Sequence, residues 1–182
     1  MNIITFLLLL GATLMIAANS LAILWFGPML LPIFYFGAPY VPTPLPTLEI
    51  MLRLADISPA DVVVDLGSGD GRAVIAAAKL GVRARGYEIH PGLVKLANSR
   101  IKMAKLETIA HVTRQSMWHA DVHDATVVFL YQIPYTMNRL GEKLKAELPP
   151  GARIVSNAFT IPGWTPEKQE GNVNLYQTKN GN

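Results

Sequence analysis

The stretch from Asp65 to Arg72, which reads Asp-Leu-Gly-Ser-Gly-Asp-Gly-Arg, has residue types that suit the binding of a small ligand. Three valines precede it and predict a strand that is buried on both faces. Alternate glycines let the backbone turn tightly and leave main chain free of side chains, so that a ligand can lie against it. A helix-like run from Arg72 to Lys79 follows, and its N-terminal N–H groups would point toward that ligand.

A second strand-like run, Val82 to Tyr87, ends in an acidic residue, Glu88. An acid about 20 positions after the first strand is placed to accept hydrogen bonds from ribose hydroxyls. Strand, glycine turn, helix, strand and acid in this order form one βαβ unit. The order predicts a nucleoside-binding, Rossmann-like site. The alternative is a purely structural glycine turn with a solvent-facing Glu88.

The spacing of the glycines distinguishes between the cofactors that contain a nucleoside. It is Gly-x-Gly-x-Gly, which departs from the Gly-x-Gly-x-x-Gly pattern of dinucleotide binders. With Asp65 closing the strand, the stretch resembles motif I of class I S-adenosylmethionine (SAM) methyltransferases. That resemblance implies SAM as the cofactor, and an NAD-dependent oxidoreductase is the distant alternative.

The rest of the chain alternates strand and helix patterns, which predicts an α/β fold with a Rossmann-like doubly wound sheet. Further strands are predicted at 110–113, 126–131 and 153–159, with a short antiparallel edge strand at 174–178. Pro134 suits the first turn of the helix that follows the fourth strand. Residues 39–182 are predicted to form this catalytic domain.

The N-terminal segment, residues 1–38, has a different composition. The first 48 residues contain no charged side chain. Ile3 to Phe26 would form a helix of about 36 Å, long enough for a hydrocarbon core of about 30 Å. We therefore predict a single-pass membrane anchor, with a cleaved signal peptide as the alternative. The proline-containing segment from Gly27 to Tyr40 is predicted to be interfacial or partly re-entrant.

Composition also argues against several other classes of function. The chain has no cysteine, so thiolate metal sites and disulfides are excluded. No His, Asp or Glu cluster has metal-ligand spacing, and we predict no metal. The net charge of +3 is mild, and no basic stripe with interleaved aromatics predicts a nucleic-acid partner.

Longer motifs give a narrower resemblance, which extends from Tyr40 to Pro166. They are Tyr-Val-Pro-Thr-Pro at 40–44, Gly-Tyr-Glu-Ile-His-Pro at 86–91 and Trp-Thr-Pro at 164–166, together with the glycine motif. In these the chain resembles small bacterial and archaeal class I methyltransferases related to the ATP synthase c-subunit lysine N-methyltransferase family. That family also has an N-terminal hydrophobic anchor. The resemblance implies lysine methylation of a small membrane protein, by a domain that faces the cytoplasm or its organellar equivalent.

The resemblance also implies roles for individual residues. The backbone of the glycine stretch would contact the methionine portion of SAM, Asp65 or Asp70 would hold its ammonium group, and Glu88 the ribose. The predicted cofactor-binding residues are Thr43, Asp65, Gly67, Ser68, Gly69, Asp70, Gly71, Glu88, Ser116 and Met117. Thr43 would belong to a lid, while Ser116 and Met117 would lie at the adenine.

For the methyl acceptor, we expect a channel of low polarity lined by Tyr131, Tyr135 or Trp164, and we name no catalytic base. Two departures from the family pattern are a serine at 116, where relatives usually carry Asp, and Asn157-Ala158, where bacterial relatives often carry His-Asp. These departures leave open a SAM-binding scaffold without catalysis. The predicted anchor leaves open a methyltransferase for a lipid or lipophilic small molecule, for which an anchor is equally useful.

Overall fold

The computed structural model describes residues 2–36 and 40–179, and the chain divides into two compact units between Pro39 and Tyr40. Within the described residues the chain forms five helices and seven strands. They are α1 Ile3–Phe36, α2 Leu45–Ala55, β1 Val62–Leu66, α3 Arg72–Ala78, β2 Arg83–Glu88, α4 Pro91–Met103, β3 Ala110–Arg114, β4 Val127–Leu130, α5 Pro134–Glu147, β5 Arg153–Asn157, β6 Lys168–Glu170 and β7 Val173–Gln177.

The first unit is the single helix α1. Its segment Ile3–Ile23, with a mean hydropathy of 2.1, is the one stretch of the described chain that is long and apolar enough to cross a membrane. The helix does not end at Pro28 or Pro32 but continues to Phe36. The segment predicted to be interfacial or re-entrant is therefore helical as far as Phe36, and residues 37–39 lie outside the described part of the chain. Whether that segment enters a bilayer stays a prediction.

The second unit is a seven-stranded sheet in the order β3-β2-β1-β4-β5-β7-β6. Strands β1 to β5 are parallel, and β7 is antiparallel to both β5 and β6. The predicted doubly wound α/β fold is confirmed. The last predicted strand is antiparallel as expected, but it is not at the edge of the sheet, because β6 forms hydrogen bonds along its outer side.

Helices cover both faces of this sheet. On one face α2, α3 and α4 pack on a core that includes Val63 and Phe129. On the other face α5 and the segment 117–125 pack on a core that includes Val64 and Leu130. All five residues of β1 are buried, as the run of valines predicts for a central parallel strand.

Polar contacts around Asp61 fix the amino ends of three strands. Its carboxylate accepts hydrogen bonds from Thr126 ahead of β4 and from Arg153 at the start of β5, and the Thr126 hydroxyl accepts one from the N–H of Val62. Burial would raise the pKa of Asp61, but these hydrogen bonds and two from Ser58 lower it to about 2. Because β1, β4 and β5 start in register, their carboxyl ends meet at the opposite edge of the sheet.

Candidate functional site

The glycine loop between β1 and α3 is tied to the end of β2. The N–H groups of Gly67 and Ser68 both donate to the carbonyl oxygen of Tyr87, at 2.8 and 3.0 Å. Gly67, Gly69 and Gly71 have φ of +82°, +53° and +79°, the left-handed region that favours glycine. The loop therefore has a backbone path that other residue types would adopt only with strain.

Two of these glycines also allow close approaches by other parts of the chain. A Cβ atom on Gly67 would overlap the side-chain nitrogen of Gln132, which donates to the carbonyl oxygen of Leu66 at 2.7 Å. A Cβ atom on Gly71 would lie 2.8 Å from the Cβ of Ala97 in α4. Gly71 thus permits α3 and α4 to pack closely where α3 begins.

Ser68 turns its side chain away from the loop surface. A Cβ atom on Gly86 of β2 would lie 2.5 Å from the Ser68 hydroxyl oxygen, so this hydroxyl points into the sheet. It is buried and has no hydrogen-bond partner within the described residues. Only the backbone of Ser68 is therefore available to a ligand. The sequence likewise predicts a contact of the cofactor with the backbone of this residue.

The two aspartates of the motif have opposite electrostatic environments. Asp65 is buried at the end of β1, and no hydrogen bond to its carboxylate forms within the described residues. Burial, followed by the negative charges of Glu88 and Asp70, raises the pKa of Asp65 to about 7. A cation placed beside Asp65 would relieve this unfavourable situation.

Asp70 is already paired. Its carboxylate is buried and forms ion pairs with Arg72, at 2.8 Å, and with Arg100 of α4. Burial would raise the pKa of Asp70, but the hydrogen bonds from the two arginines hold it well below its ordinary value. Of the two candidates for an ammonium group, Asp65 is the one whose charge is not already balanced.

Glu88 closes the loop from the side of β2. Its carboxylate accepts a hydrogen bond from the N–H of Gly69 at 2.9 Å and another from the N–H of His90 at 2.8 Å. An ionised carboxylate has about four acceptor positions, so about two remain for hydroxyl donors. Glu88 is thus fixed in orientation by backbone groups and can still accept further hydrogen bonds.

The segment Tyr40–Pro44 lies against the glycine loop. A Cβ atom on Gly69 would lie 2.7 Å from the ring of Tyr40, and the side chain of Arg72 donates to the carbonyl oxygen of Thr43 at 2.7 Å. Burial and the neighbouring Asp70 raise the pKa of Tyr40. We call this segment the strap. Arg72 connects it to the loop by binding Thr43 and Asp70 with one guanidinium group.

The residues predicted at the adenine follow β3. The N–H of Gln115 donates to the carbonyl oxygen of Glu88 at 3.0 Å, which brings this loop beside the end of β2. Met117 is buried in the core on the α5 side, and the Ser116 hydroxyl is half-buried at the turn. Next to them the guanidinium of Arg139 in α5 lies 4.2 Å from the ring centre of Trp118, a cation–π contact.

The three aromatic residues predicted to line a channel are in different surroundings. Tyr131 directly follows β4 and is half-buried, and Tyr135 lies in the first turn of α5 with 70% of its surface exposed. Trp164 packs edge-to-face on Tyr176 of β7, with ring centres 6.2 Å apart, and its indole nitrogen lies against Gly141 of α5. Tyr131 and Tyr135 thus lie near the carboxyl end of β4, whereas the contacts of Trp164 are packing contacts between α5 and β7.

The Asn157-Ala158 pair lies at the carboxyl end of β5. Asn157 is buried, and Ala158 has φ of +69°, which is uncommon for a residue other than glycine. The N–H of Ala158 donates to the carbonyl oxygen of Asn172 at 2.8 Å and holds this turn in place. Local strain of this kind concentrates near functional sites.

The structure thus brings together Asp65, the glycine loop, Glu88 and the strap residue Thr43, and it places the Ser116 loop beside them. Sequence reasoning missed Gln132, Arg72 and Arg100. Gln132 follows the fourth strand, so its place at the carboxyl edge was a possible signal, but nothing local indicates its bond to β1. Within residues 2–36 and 40–179, no group of His, Asp and Glu side chains could hold a metal ion.

The amino-acid sequence matches one protein family and several characterised relatives. Residues 65–168 match the profile of the family described as the ANTKMT methyltransferase domain. A protein-lysine N-methyltransferase of Saccharolobus islandicus is 38% identical over 142 residues, which cover 75% of this chain and 88% of that protein. The ATP synthase c-subunit lysine N-methyltransferase of Xenopus laevis is 38% identical over 71% of this chain, and the match spans 57% of that relative.

A solved structure is also similar along most of its length. It is described as an RNA methyltransferase from Salinibacter ruber in complex with S-adenosyl-L-homocysteine. It is 38% identical to this chain, with a TM-score of 0.76, and the match covers 78% of this chain and 95% of that one. The relatives therefore agree on methyl transfer and differ in the acceptor that their descriptions give.

Proposed function

The chain belongs to the ANTKMT methyltransferase family, and from this premise we propose that it methylates lysine in a small membrane protein while α1 anchors it in the membrane. Family membership makes it a SAM-dependent methyltransferase. The observation that supports lysine as the acceptor is the similarity to two relatives named as lysine N-methyltransferases, one of them named for the ATP synthase c-subunit. This chain matches just over half of the length of the Xenopus relative. The substrate in that relative's name is therefore carried over to this chain only as part of the proposal.

The residues around the glycine loop fit the cofactor. Asp65 would hold the ammonium group, because its buried carboxylate is unbalanced while Asp70 is paired with two arginines. Glu88 would accept hydrogen bonds from the ribose, since backbone N–H groups already hold its carboxylate in place. The loop glycines add no side chains of their own, so the methionine portion would lie along the loop beside Gln132 and Tyr40. When bound, SAM supplies an electrophilic methyl group on sulfur.

Besides binding SAM, the site must position the acceptor lysine and remove water from around its amino group. A lysine has an ordinary pKa of about 10.4 and must lose its proton before it can attack. A surrounding of low polarity lowers that pKa, because burial disfavours the charged form. Tyr131 and Tyr135, at the carboxyl end of β4, are the residues that we propose to line the approach of the lysine. Alignment of the reacting atoms then supplies the main rate enhancement.

The proposed anchor is the segment Ile3–Ile23 of α1. A bound anchor confines enzyme and membrane substrate to one surface, and this raises their effective concentration. We propose a single-pass orientation with the catalytic domain on the cytoplasmic side or its organellar equivalent, where SAM is used. Length and composition of the helix support a membrane span, together with the absence of charge from the first 48 residues, whereas the side of the domain is proposed only from where SAM is used.

The test uses the full-length protein and methyl-tritiated SAM. Membranes from cells that lack the protein are incubated with the wild-type enzyme or with Asp65→Ala as the matched control. We expect label in a small protein band that depends on Asp65, survives organic extraction and is sensitive to protease. Acid hydrolysis of that band should then release labelled methyl-lysine.

The same experiment separates the competing acceptors. Label that moves into the organic phase as free lipid would contradict a protein substrate and leave the SAM site intact. No Asp65-dependent label in any fraction, from a protein that still binds SAM, would favour a scaffold without catalysis.

RNA is a second candidate acceptor because of one specific relative, the Salinibacter ruber structure described as an RNA methyltransferase. The match covers almost all of that chain, so the shared fold does not distinguish the two acceptors. Nuclease treatment of the labelled reaction does. Label that is released by ribonuclease and resists protease would replace the lysine proposal by an RNA substrate.

A further inference from the structure

The charges of the domain are separated along the sheet. Residues 71–120, which contain α3, β2, α4 and β3, carry nine of the sixteen basic residues but only two of the thirteen acidic residues. Strands β3 and β2 form one end of the sheet, and β7 and β6 form the other. The first end is therefore strongly basic although the net charge of the whole chain is only +3.

Part of this positive charge is neutralised by ion pairs within the protein. Arg72 and Arg100 are paired with Asp70, and Arg85 is paired with Asp124. The lysines differ from these arginines. Four of them are exposed and form no ion pair within residues 40–179, and they are Lys79, Lys95, Lys102 and Lys105.

Helix α4 carries two of these lysines, Lys95 and Lys102, on its outer face. Its inner residues Ala97 and Ile101 are buried against the sheet. Lys95, Ser99 and Lys102 follow one another at intervals of three and four residues, so they form one exposed row. The sequence from Ile89 to Leu106 contains no acidic residue that could neutralise this row.

Exposed apolar side chains lie beside the lysine row. Leu96 and Met103, two turns apart on α4, are 41% and 76% exposed. Lysines next to protruding leucine and methionine side chains are typical of helices that lie in the interface of an anionic membrane.

We propose that the outer face of α4, formed by Lys95, Leu96, Ser99, Lys102 and Met103, docks together with the adjoining Lys105 on the surface of a bilayer that contains anionic phospholipid. The lysine ammonium groups pair with lipid phosphates, and Leu96 and Met103 enter the boundary between headgroups and acyl chains. Charge complementarity and the adjacent apolar side chains favour this partner. A nucleic acid would gain nothing from Leu96 and Met103, and α4 carries no aromatic residue that could stack on bases. The proposal does not depend on the identity of the methyl acceptor.

The test places a fluorescent label on this face in the full-length protein. The chain has no cysteine, so Ser99→Cys provides a single attachment site, and Ala146→Cys on the exposed side of α5 is the control. Each protein is reconstituted in vesicles of phosphatidylcholine alone or of phosphatidylcholine with phosphatidylglycerol. Both types of vesicle carry a lipid-bound nitroxide quencher. We expect quenching of the label at 99 in the anionic vesicles, weak quenching in neutral ones, and none at 146 in either.

A charge series tests the mechanism. The ratio of docked to undocked domain should fall about fivefold for each lysine replaced by Gln at positions 95, 102 and 105, and it should fall on addition of salt. The matched control replaces Lys145, Lys168 and Lys179, which are exposed outside the basic end, and should leave quenching unchanged.

Equal quenching in neutral and anionic vesicles, or equal loss in both triple variants, would overturn the proposal. Loss of RNA binding by the α4 variant, with quenching unchanged, would identify a nucleic-acid surface instead.

Discussion

Asp65 and Asp70 show how two identical side chains, five positions apart, acquire opposite properties. Asp70 has two arginines within hydrogen-bond reach and stays ionised, with its pKa held low. Asp65 is buried beside two other carboxylates, which raises its pKa to about 7. The motif alone gives both residues as candidates for the cofactor ammonium group. Their environments make Asp65 the proposed ligand and Asp70 a structural ion-pair partner.

The first prediction concerns the pH dependence of cofactor binding. With a pKa of about 7, Asp65 is mostly protonated at pH 6 and mostly ionised at pH 8. A bound ammonium group favours the ionised form, so affinity for S-adenosylhomocysteine should rise about tenfold between these pH values and then level off. Isothermal titration calorimetry in two buffers should also detect release of a proton on binding. Asp65→Asn should bind weakly with no such pH dependence. An equal pH profile in Asp65→Asn would show that another group titrates.

Stability without ligand should change with pH in the opposite sense. Unfolded Asp loses its proton near pH 4 and folded Asp65 near pH 7, so the folded protein binds more protons between these values. Its free energy of unfolding therefore falls as the pH rises through this window. At pH 8, Asp65→Asn should be more stable than wild type by up to about 4 kcal/mol in urea denaturation, since one pKa unit corresponds to about 1.4 kcal/mol. A less stable variant at pH 8 would contradict the raised pKa.

Two glycines offer a matched comparison of space and backbone conformation. Gly71 and Gly81 have φ of +79° and +87°, but a Cβ atom would meet Ala97 of α4 at Gly71 and nothing within 4 Å at Gly81. Gly81→Ala should cost about 1–2 kcal/mol of unfolding free energy from the left-handed backbone alone. Gly71→Ala should cost a further 1–3 kcal/mol, roughly, because α4 is displaced. Urea denaturation measures both, and equal losses would show that the contact with α4 carries no energy.

At the scale of elements, the strap and the glycine loop act together because one side chain holds both. Arg72 is well suited to this because its planar guanidinium presents several donors in fixed directions. It uses one nitrogen for Thr43 and the others for Asp70. Arg100 binds the same carboxylate from α4 but forms no hydrogen bond to the described strap residues. The two arginines therefore separate the effect of the strap from that of the ion pair.

We predict that Arg72→Lys loosens the strap and that Arg100→Lys does not. Lysine keeps the charge but cannot make the fork of hydrogen bonds, and a hydrogen bond to a charged group is worth about 1.5–3 kcal/mol. The open population of the strap should therefore rise about tenfold or more. A nitroxide on Val41→Cys, an exposed strap position, should report greater mobility in Arg72→Lys alone. Equal spectra in both variants would exclude Arg72 as the connection.

The order of the elements was predictable because each strand has a local signature. The buried valines of β1, the glycines after it and the acid that ends β2 all lie within 27 residues of sequence from Val62 to Glu88. The contacts that complete the site join residues far apart in the chain. Gln132 reaches Leu66, and Arg72 reaches Thr43, without any periodic pattern that marks the pair. Such contacts are set by tertiary packing, which spacing along the chain does not report. For the same reason β6, three exposed residues long, was missed.

At the scale of the whole molecule, the chain combines an uncharged helix with a catalytic domain that has one basic end. The proposed anchor predicts a specific kinetic change. Deletion of residues 2–36 should leave affinity for S-adenosylhomocysteine and the methylation of a soluble lysine peptide within about twofold. The rate on a substrate in vesicles should fall about a hundredfold or more, because the effective concentration is lost.

The matched control for this deletion replaces α1 by an unrelated transmembrane helix of the same length. It should restore the rate on the vesicle substrate if the helix acts only as an anchor. A deletion variant that keeps the full rate on vesicles would contradict the anchoring proposal. Failure of the unrelated helix to restore the rate would show that α1 itself contributes to substrate recognition.

The domain begins at Tyr40, and the ring of Tyr40 lies against Gly69 in the cofactor loop. The first residue of the domain is therefore also a wall of its proposed active site. A pulling force applied through the preceding chain would act on the contact between Tyr40 and Gly69 before it reached the sheet. Mechanical load on the N-terminal helix and occupancy of the cofactor site should therefore be coupled.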